Sequence, residues 1–170
     1  MNKLQIGLII TAAVLFRLVP HTPNLVPIGA IALFAGYAVK SKWSFLIPVL
    51  VMIISDYFVG FHNTMWFVYG SYVAITVMGR ACAKHVTLPR ITLLSLTGSA
   101  LFYLVTNFGV WLMGTMYTKD LSGLIQSYLY AIPFFRATLI GDMIFNGVLY
   151  VLYSQIPLKS FLMRIIVAKK

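Results

Sequence analysis

Nine residues of this chain are of types that hold small solutes: Arg17, His21, Asn24, Asp56, His62, Asn107, Trp111, Phe135 and Arg136. They come from four separate stretches, RLVPHTPN, DYFVGFH, TNFGVW and PFFR, each beside an apolar run. Guanidinium groups fork onto carboxylate or phosphate, so Arg17 and Arg136 suit an anionic group. Trp111 and Phe134 or Phe135 suit an apolar or ring portion. Asp56 can accept from a donor on the solute or orient an arginine. Apolar walls with a few convergent polar groups are the usual make-up of a small-molecule pocket.

Each residue also has a plainer reading. Arg17 can snorkel to lipid headgroups. Asp56 can pair with Arg17 or Arg136 and hold helices together, so salt-bridge reach of one of them is expected either way. Asn107 can be an interhelical hydrogen bond worth about 1 kcal/mol. His21 and His62 lack an HxxxH or CxxC partner spacing, so no metal is expected there. Asp142 and Asn146 are four apart and share one helix face, expected to point inward. No HExxH, nucleophile elbow or GxxxxGK[ST] loop occurs, and neighbours Ser55 and Asp56 diverge on a helix. The sequence therefore points to no enzyme, catalytic residue or cofactor.

The elements that must position these groups follow from composition. Of 170 residues, 61% are hydrophobic and 9% charged, against about a quarter charged in a soluble domain. Lipid is the solvent that fits such a surface. Six apolar segments can be drawn: 4–19, 26–39, 43–59, 65–83, 91–113 and one within 131–154. Residues 121–130 read as an interfacial helix or an extension of the sixth. The start, MNKLQIGLIITAAVLF, reads as a retained first helix rather than a cleaved signal. Pro20, Pro23 and Pro27 stiffen the first outer loop. Cys82 is the single cysteine, so no disulfide framework exists.

The basic residues set the orientation. Ten of the thirteen Lys and Arg residues fall at the two ends and in the second and fourth connections. The positive-inside bias then puts both termini in the cytoplasm. The net charge of +10 fits topology and anionic lipid better than nucleic acid. Trp43, Trp66, Trp111, Tyr117 and Tyr153 lie near segment ends, as an aromatic belt requires. The expected fold is an all-α bundle of about six transmembrane helices. It forms one integral domain over 1–170 in a bacterial inner (plasma) membrane.

The strings RLVPHTPNLVPIGAIALFAG, ISDYFVGFH, VYGSY, TNFGVW and PFFRATLIGD resemble a family of small bacterial membrane proteins with no settled biochemical role. More distantly, the layout is similar to the S components of energy-coupling factor (ECF) vitamin transporters. PIGAIALFAG, a short basic turn and an apolar helix ending in Asp56 and Gly60 look like their second and third helices. That resemblance implies an outward-facing solute site. It also implies docking on a shared transmembrane subunit with two ATPases. The alanine-rich AxxxA step of many S components is replaced here by Gly7, Thr11 and Ala12.

Two function classes stand. The first is a substrate-binding membrane subunit for uptake of a small organic solute such as a vitamin or related micronutrient. The second is a structural scaffold of the cell envelope, which holds no solute.

Overall fold

The computed structural model describes the backbone over residues 3–20 and 24–168, and side chains over 4–20 and 24–154. His21, Lys169 and Lys170 lie outside the described residues. The described chain is all helical: α1 Lys3–Leu18, α2 Ile28–Ala38, α3 Leu46–Val59, α4 Met65–Ala81, α5 Leu88–Met113, α6 Leu121–Leu129 and α7 Ile132–Ala168. Two are long and apolar enough to cross a membrane, over Leu88–Met113 and Ile132–Ser154.

The segments read from hydropathy coincide with helices; of the two readings of residues 121–130 the separate helix is the one observed, and the end of the last helix is corrected. Residues 121–129 form a separate helix, because Pro133 stands in the first turn of α7. Proline lacks the N–H that a continuous helix requires and is tolerated in a helix's first turn. The last helix also runs on to Ala168, well past the expected end near 154. The stretch read as a basic tail is thus helical in its backbone.

The outside of the fold is apolar, and several polar groups are buried within its largely apolar core. Leu8, Leu93, Leu104, Ile140, Ile144 and Leu152 are exposed, while Ser55, Asp56, Thr76, Ser99, Asp142 and Asn146 are buried. At the centre runs α2, in which every residue from Ile28 to Tyr37 is buried. It touches α3, α4, α5 and α7. Small residues permit this, as they let helix backbones approach closely. At the α2–α4 crossing, a Cβ on Gly36 would collide with the Thr76 carbonyl, and one on Gly79 with the Leu33 carbonyl.

The α5–α6 corner is held by local polar bonds. The Lys119 ammonium reaches the carbonyls of Trp111, Leu112 and Gly114 and lies 5.9 Å over the Trp111 ring. A cation at the open carbonyls of a helix C-terminus is favourable. Asp120 caps α6, its Oδ1 accepting from the Gly123 N–H at 2.7 Å and the Thr118 hydroxyl at 2.9 Å.

The Gly123 N–H, and then the Thr118 hydroxyl, hold the Asp120 carboxyl below its ordinary range. The folded chain thus favours the charged form. The cap is present above the ordinary Asp pKa of about 3.9 and is lost as pH falls through the lowered native value. The Gly123 amide is therefore expected to be protected from hydrogen exchange at neutral pH. Acidification below the ordinary carboxylate range should remove that protection, and Asp120→Ala should lack it at every pH.

Candidate functional site

Arg17 closes the last turn of α1, and Asp56 lies one turn before the end of α3. Arg17 Nη1 stands 2.6 Å from Asp56 Oδ1, so the ion pair anticipated from the sequence forms. Asp56 is fully buried, and the Arg17 side chain is 16% exposed. The Tyr69 hydroxyl, from α4, donates to Asp56 Oδ2 at 2.5 Å. The same Arg17 nitrogen donates to Ser55 Oγ at 2.5 Å, and Ser55 donates to the Val51 carbonyl at 2.7 Å. Adjacent helical side chains diverge by about 100°, yet one arginine nitrogen lodged in the fork reaches both. Three helices are thereby tied at one point.

Arg17 also lines a cavity of about 300 Å3, together with Asn24, Met52, His62, Tyr72 and Phe102. A second cavity of about 250 Å3 is lined by Asn24, Tyr103, Thr106, Asn107, Phe134 and Phe135. Asn24, Val68 and Phe102 wall both, so the two adjoin. Asn24 reaches this junction with a φ of 63°, in the left-handed region that asparagine tolerates better than most residues. The first chamber offers a guanidinium and an imidazole. The second offers aromatic faces, with Tyr103 and Phe135 rings 4.7 Å apart.

Several side chains near the cavities are held by local bonds. His62 Nδ1 is 2.8 Å from Thr64 Oγ1. The Asn107 amide donates to the Tyr103 carbonyl at 2.8 Å, and Thr106 donates to that of Phe102 at 2.7 Å. Such bonds fix the groups without consuming all their capacity, since an amide offers two donors and an acceptor.

Trp111 and Arg136 are placed elsewhere. Trp111 donates from Nε1 to the Thr118 carbonyl at 2.9 Å and stacks under Lys119, fastening the α5–α6 corner. Arg136 is exposed and is not among the residues lining these cavities. The sequence reading groups both with the solute site because Trp111 stands near the outer end of the fifth helix and Arg136 at the outer start of the sixth. Phe102, Tyr72, Val68 and Tyr103 are the wall residues that the reading missed, and nothing distinguishes them in sequence from other apolar helix positions.

Deeper in the bundle, Asp142 and Asn146 face inward, as their spacing implies. Asp142 is 4% exposed and Asn146 2%. Ser99 Oγ lies 2.7 Å from Asp142 Oδ2, and the Asn146 amide donates to Ser95 Oγ at 3.0 Å. The backbone N–H of Ala30 also donates to Asp142. The first turn of α2 has no side-chain cap from its own flank, so a carboxyl from α7 does the capping. Gly29 makes room for it, because a Cβ there would overlap the carboxyl group.

Among the described residues, no group of three or more His, Cys, Asp and Glu could hold a metal ion. Fold and site together describe an all-helical protein with two membrane-length helices, an apolar exterior, buried polar groups and two adjoining cavities. The chain belongs to a family of unknown function, DUF6580, whose model matches residues 2–163. No curated protein and no solved structure matches it.

Proposed function

We propose that this protein is a substrate-binding membrane subunit for uptake of a small organic solute. The paired cavities at the Arg17–Asp56 node carry the reading: each approaches the lower range of known small-molecule sites, about 300–1,000 Å3. A solute spanning both chambers would set hydrogen-bond acceptors against Arg17 and His62. Its ring or apolar part would lie against Tyr103 and Phe135. Because Asp56 already neutralises Arg17, a neutral or singly charged solute fits better than a strongly anionic one.

The bilayer setting is part of the proposal. An apolar outside with the polar groups turned inward is the distribution a protein needs when lipid is its solvent. The α1, α3 and α4 helices are shorter than the two membrane-length ones, and α2, at 11 residues, covers about 16 Å. It can stay short because it is sheathed by other helices. Leu121, Ile125 and Leu129 form an exposed apolar stripe on α6, which suits a helix lying in the membrane interface. The reading is six crossings with both ends cytoplasmic, α6 on the outer surface, and a bacterial inner membrane location. Energy comes from a partner, as in the S components of ECF transporters, which dock on a shared subunit with two ATPases.

The test is native mass spectrometry of the chain purified from its own host in mild detergent. Wild type is expected to carry an organic solute of defined mass. Val68→Trp, which fills the wall shared by the chambers, is expected to lose it. Arg136→Ala, altering an exposed residue away from the cavities, is expected to keep both the solute and the wild-type melting temperature. Solute-free wild type, or equal retention in Val68→Trp, overturns the reading. A cell-envelope protein as the sole companion points instead to a scaffold.

A further inference from the structure

Asp142 is one of three carboxyl side chains in the chain. Asp56 has Arg17, and Asp120 stands in an exposed corner. Asp142 is buried, and among the described residues no Lys, Arg or His pairs with it. What faces it is neutral: the Gly29–Ala30 backbone of α2, Ser99 of α5 and the Tyr72 ring of α4.

The hydrogen count around Ser99 is informative. Its Oγ lies 2.7 Å from Asp142 Oδ2 and 2.9 Å from the Ser95 carbonyl. A hydroxyl has one hydrogen, and an ionised Asp142 would make both neighbours acceptors. A proton on Oδ2 satisfies the whole chain: Asp142 donates to Ser99 Oγ, and Ser99 donates to the Ser95 carbonyl. Ser55 shows the equivalent arrangement, with Arg17 supplying the extra hydrogen. At Ser99 the carboxyl itself is the group placed to supply it. The Ala30 N–H and the α2 N-terminus do favour a negative charge. They are two neutral contributions against the full desolvation of a carboxylate without a counter-ion, which is the larger effect.

A small void adjoins the carboxyl. It measures about 20 Å3, room for one water, and is lined by Asp142, Gly29, Thr138, Asn24, Tyr72 and Phe102. Asn24 and Phe102 also wall both larger cavities. We infer that Asp142 is a proton-binding site, carrying its proton on Oδ2 in this bundle and exchanging it with the cavities through the water-sized void. Binding forms one O–H bond on the carboxylate with a proton taken from cavity water, and release returns that proton to water. The inference stands whether or not a solute occupies the cavities. If one does, the carboxyl that can change charge lies next to it.

Infrared difference spectroscopy of the full chain in lipid nanodiscs at neutral pH tests this without a solute. Wild type is expected to show the C=O stretch of a protonated carboxyl, shifted in D2O and absent from Asp142→Asn. Asp142→Asn is also expected to melt with wild type, since its amide can donate to Ser99 and accept from Ala30. Should that variant not fold, Ser99→Ala serves: the band should persist at a shifted frequency, because its acceptor is gone. Thr138→Leu, which fills the void, should slow the D2O shift several-fold. Wild type lacking the band overturns the site. An unchanged exchange rate in a folded Thr138→Leu overturns the path.

Discussion

Gly36→Ala is expected to unfold the bundle, although it adds only a methyl group at a helical position where alanine is normally the better residue. The new carbon would collide with the Thr76 carbonyl, and would lie 2.7 Å from the Arg80 nitrogen and 2.9 Å from Gly79 carbonyl carbon. All three are backbone atoms, so no rotamer change relieves the clash. The two helices must separate, and α2 is the element that the others surround. Overpacking of a well-filled core costs about 1–3 kcal/mol where side chains can adjust, and more where they cannot. Domains hold only about 5–15 kcal/mol in total. Accumulation in membranes and the melting temperature in detergent should both fall sharply. Gly7→Ala is the control, because a Cβ at Gly7 meets nothing within 4 Å. It should melt with wild type or slightly above it. Equal behaviour of the two variants would show that the α2–α4 crossing is looser than described.

Such contacts explain what could and could not be read from the chain alone. Hydropathy runs give helices because a lipid or buried setting demands internally bonded backbone. Pro133 and the capping Asp120 could have marked the α6–α7 break and the α6 start as well. Asp56, Asp142 and Asn146 stood out because a polar residue in an apolar run needs a reason. Their partners did not stand out. Ser55 and Ser99 look like any helical serine bonding its own i−4 carbonyl, and only the fold brings Arg17 and Asp142 to them. Trp111 and Arg136 stand away from the cavity walls for the opposite reason. They sit near helix ends in sequence, but the Trp111 side chain is held to the α5–α6 corner by the Thr118 carbonyl and Lys119. Neighbourhood in a motif does not say which face of a helix meets a cavity.

The Arg17–Asp56 pair is where structure and function can be separated. Removing one partner leaves an uncompensated buried charge, which typically costs about 3–5 kcal/mol. The two halves should not be equal. Asp56 is fully buried, so Arg17→Ala strands a carboxylate with only the Tyr69 hydroxyl for company. Arg17 borders the larger cavity, so in Asp56→Ala its guanidinium can turn towards water there. Arg17→Ala is therefore expected to lower the melting temperature more than Asp56→Ala. Replacing both by apolar residues of similar size removes the desolvation cost together with the attraction, which is often neutral or stabilising. Arg17→Met combined with Asp56→Leu should thus recover most of the lost stability. What the double variant does with solute then decides the role of the pair. A refolded double variant that no longer retains the mass carried by wild type makes Arg17 a binding residue, held in place by Asp56. A double variant that still retains it reduces the pair to a clamp between α1 and α3 and moves recognition to Asn24, His62 and the Tyr103–Phe135 chamber.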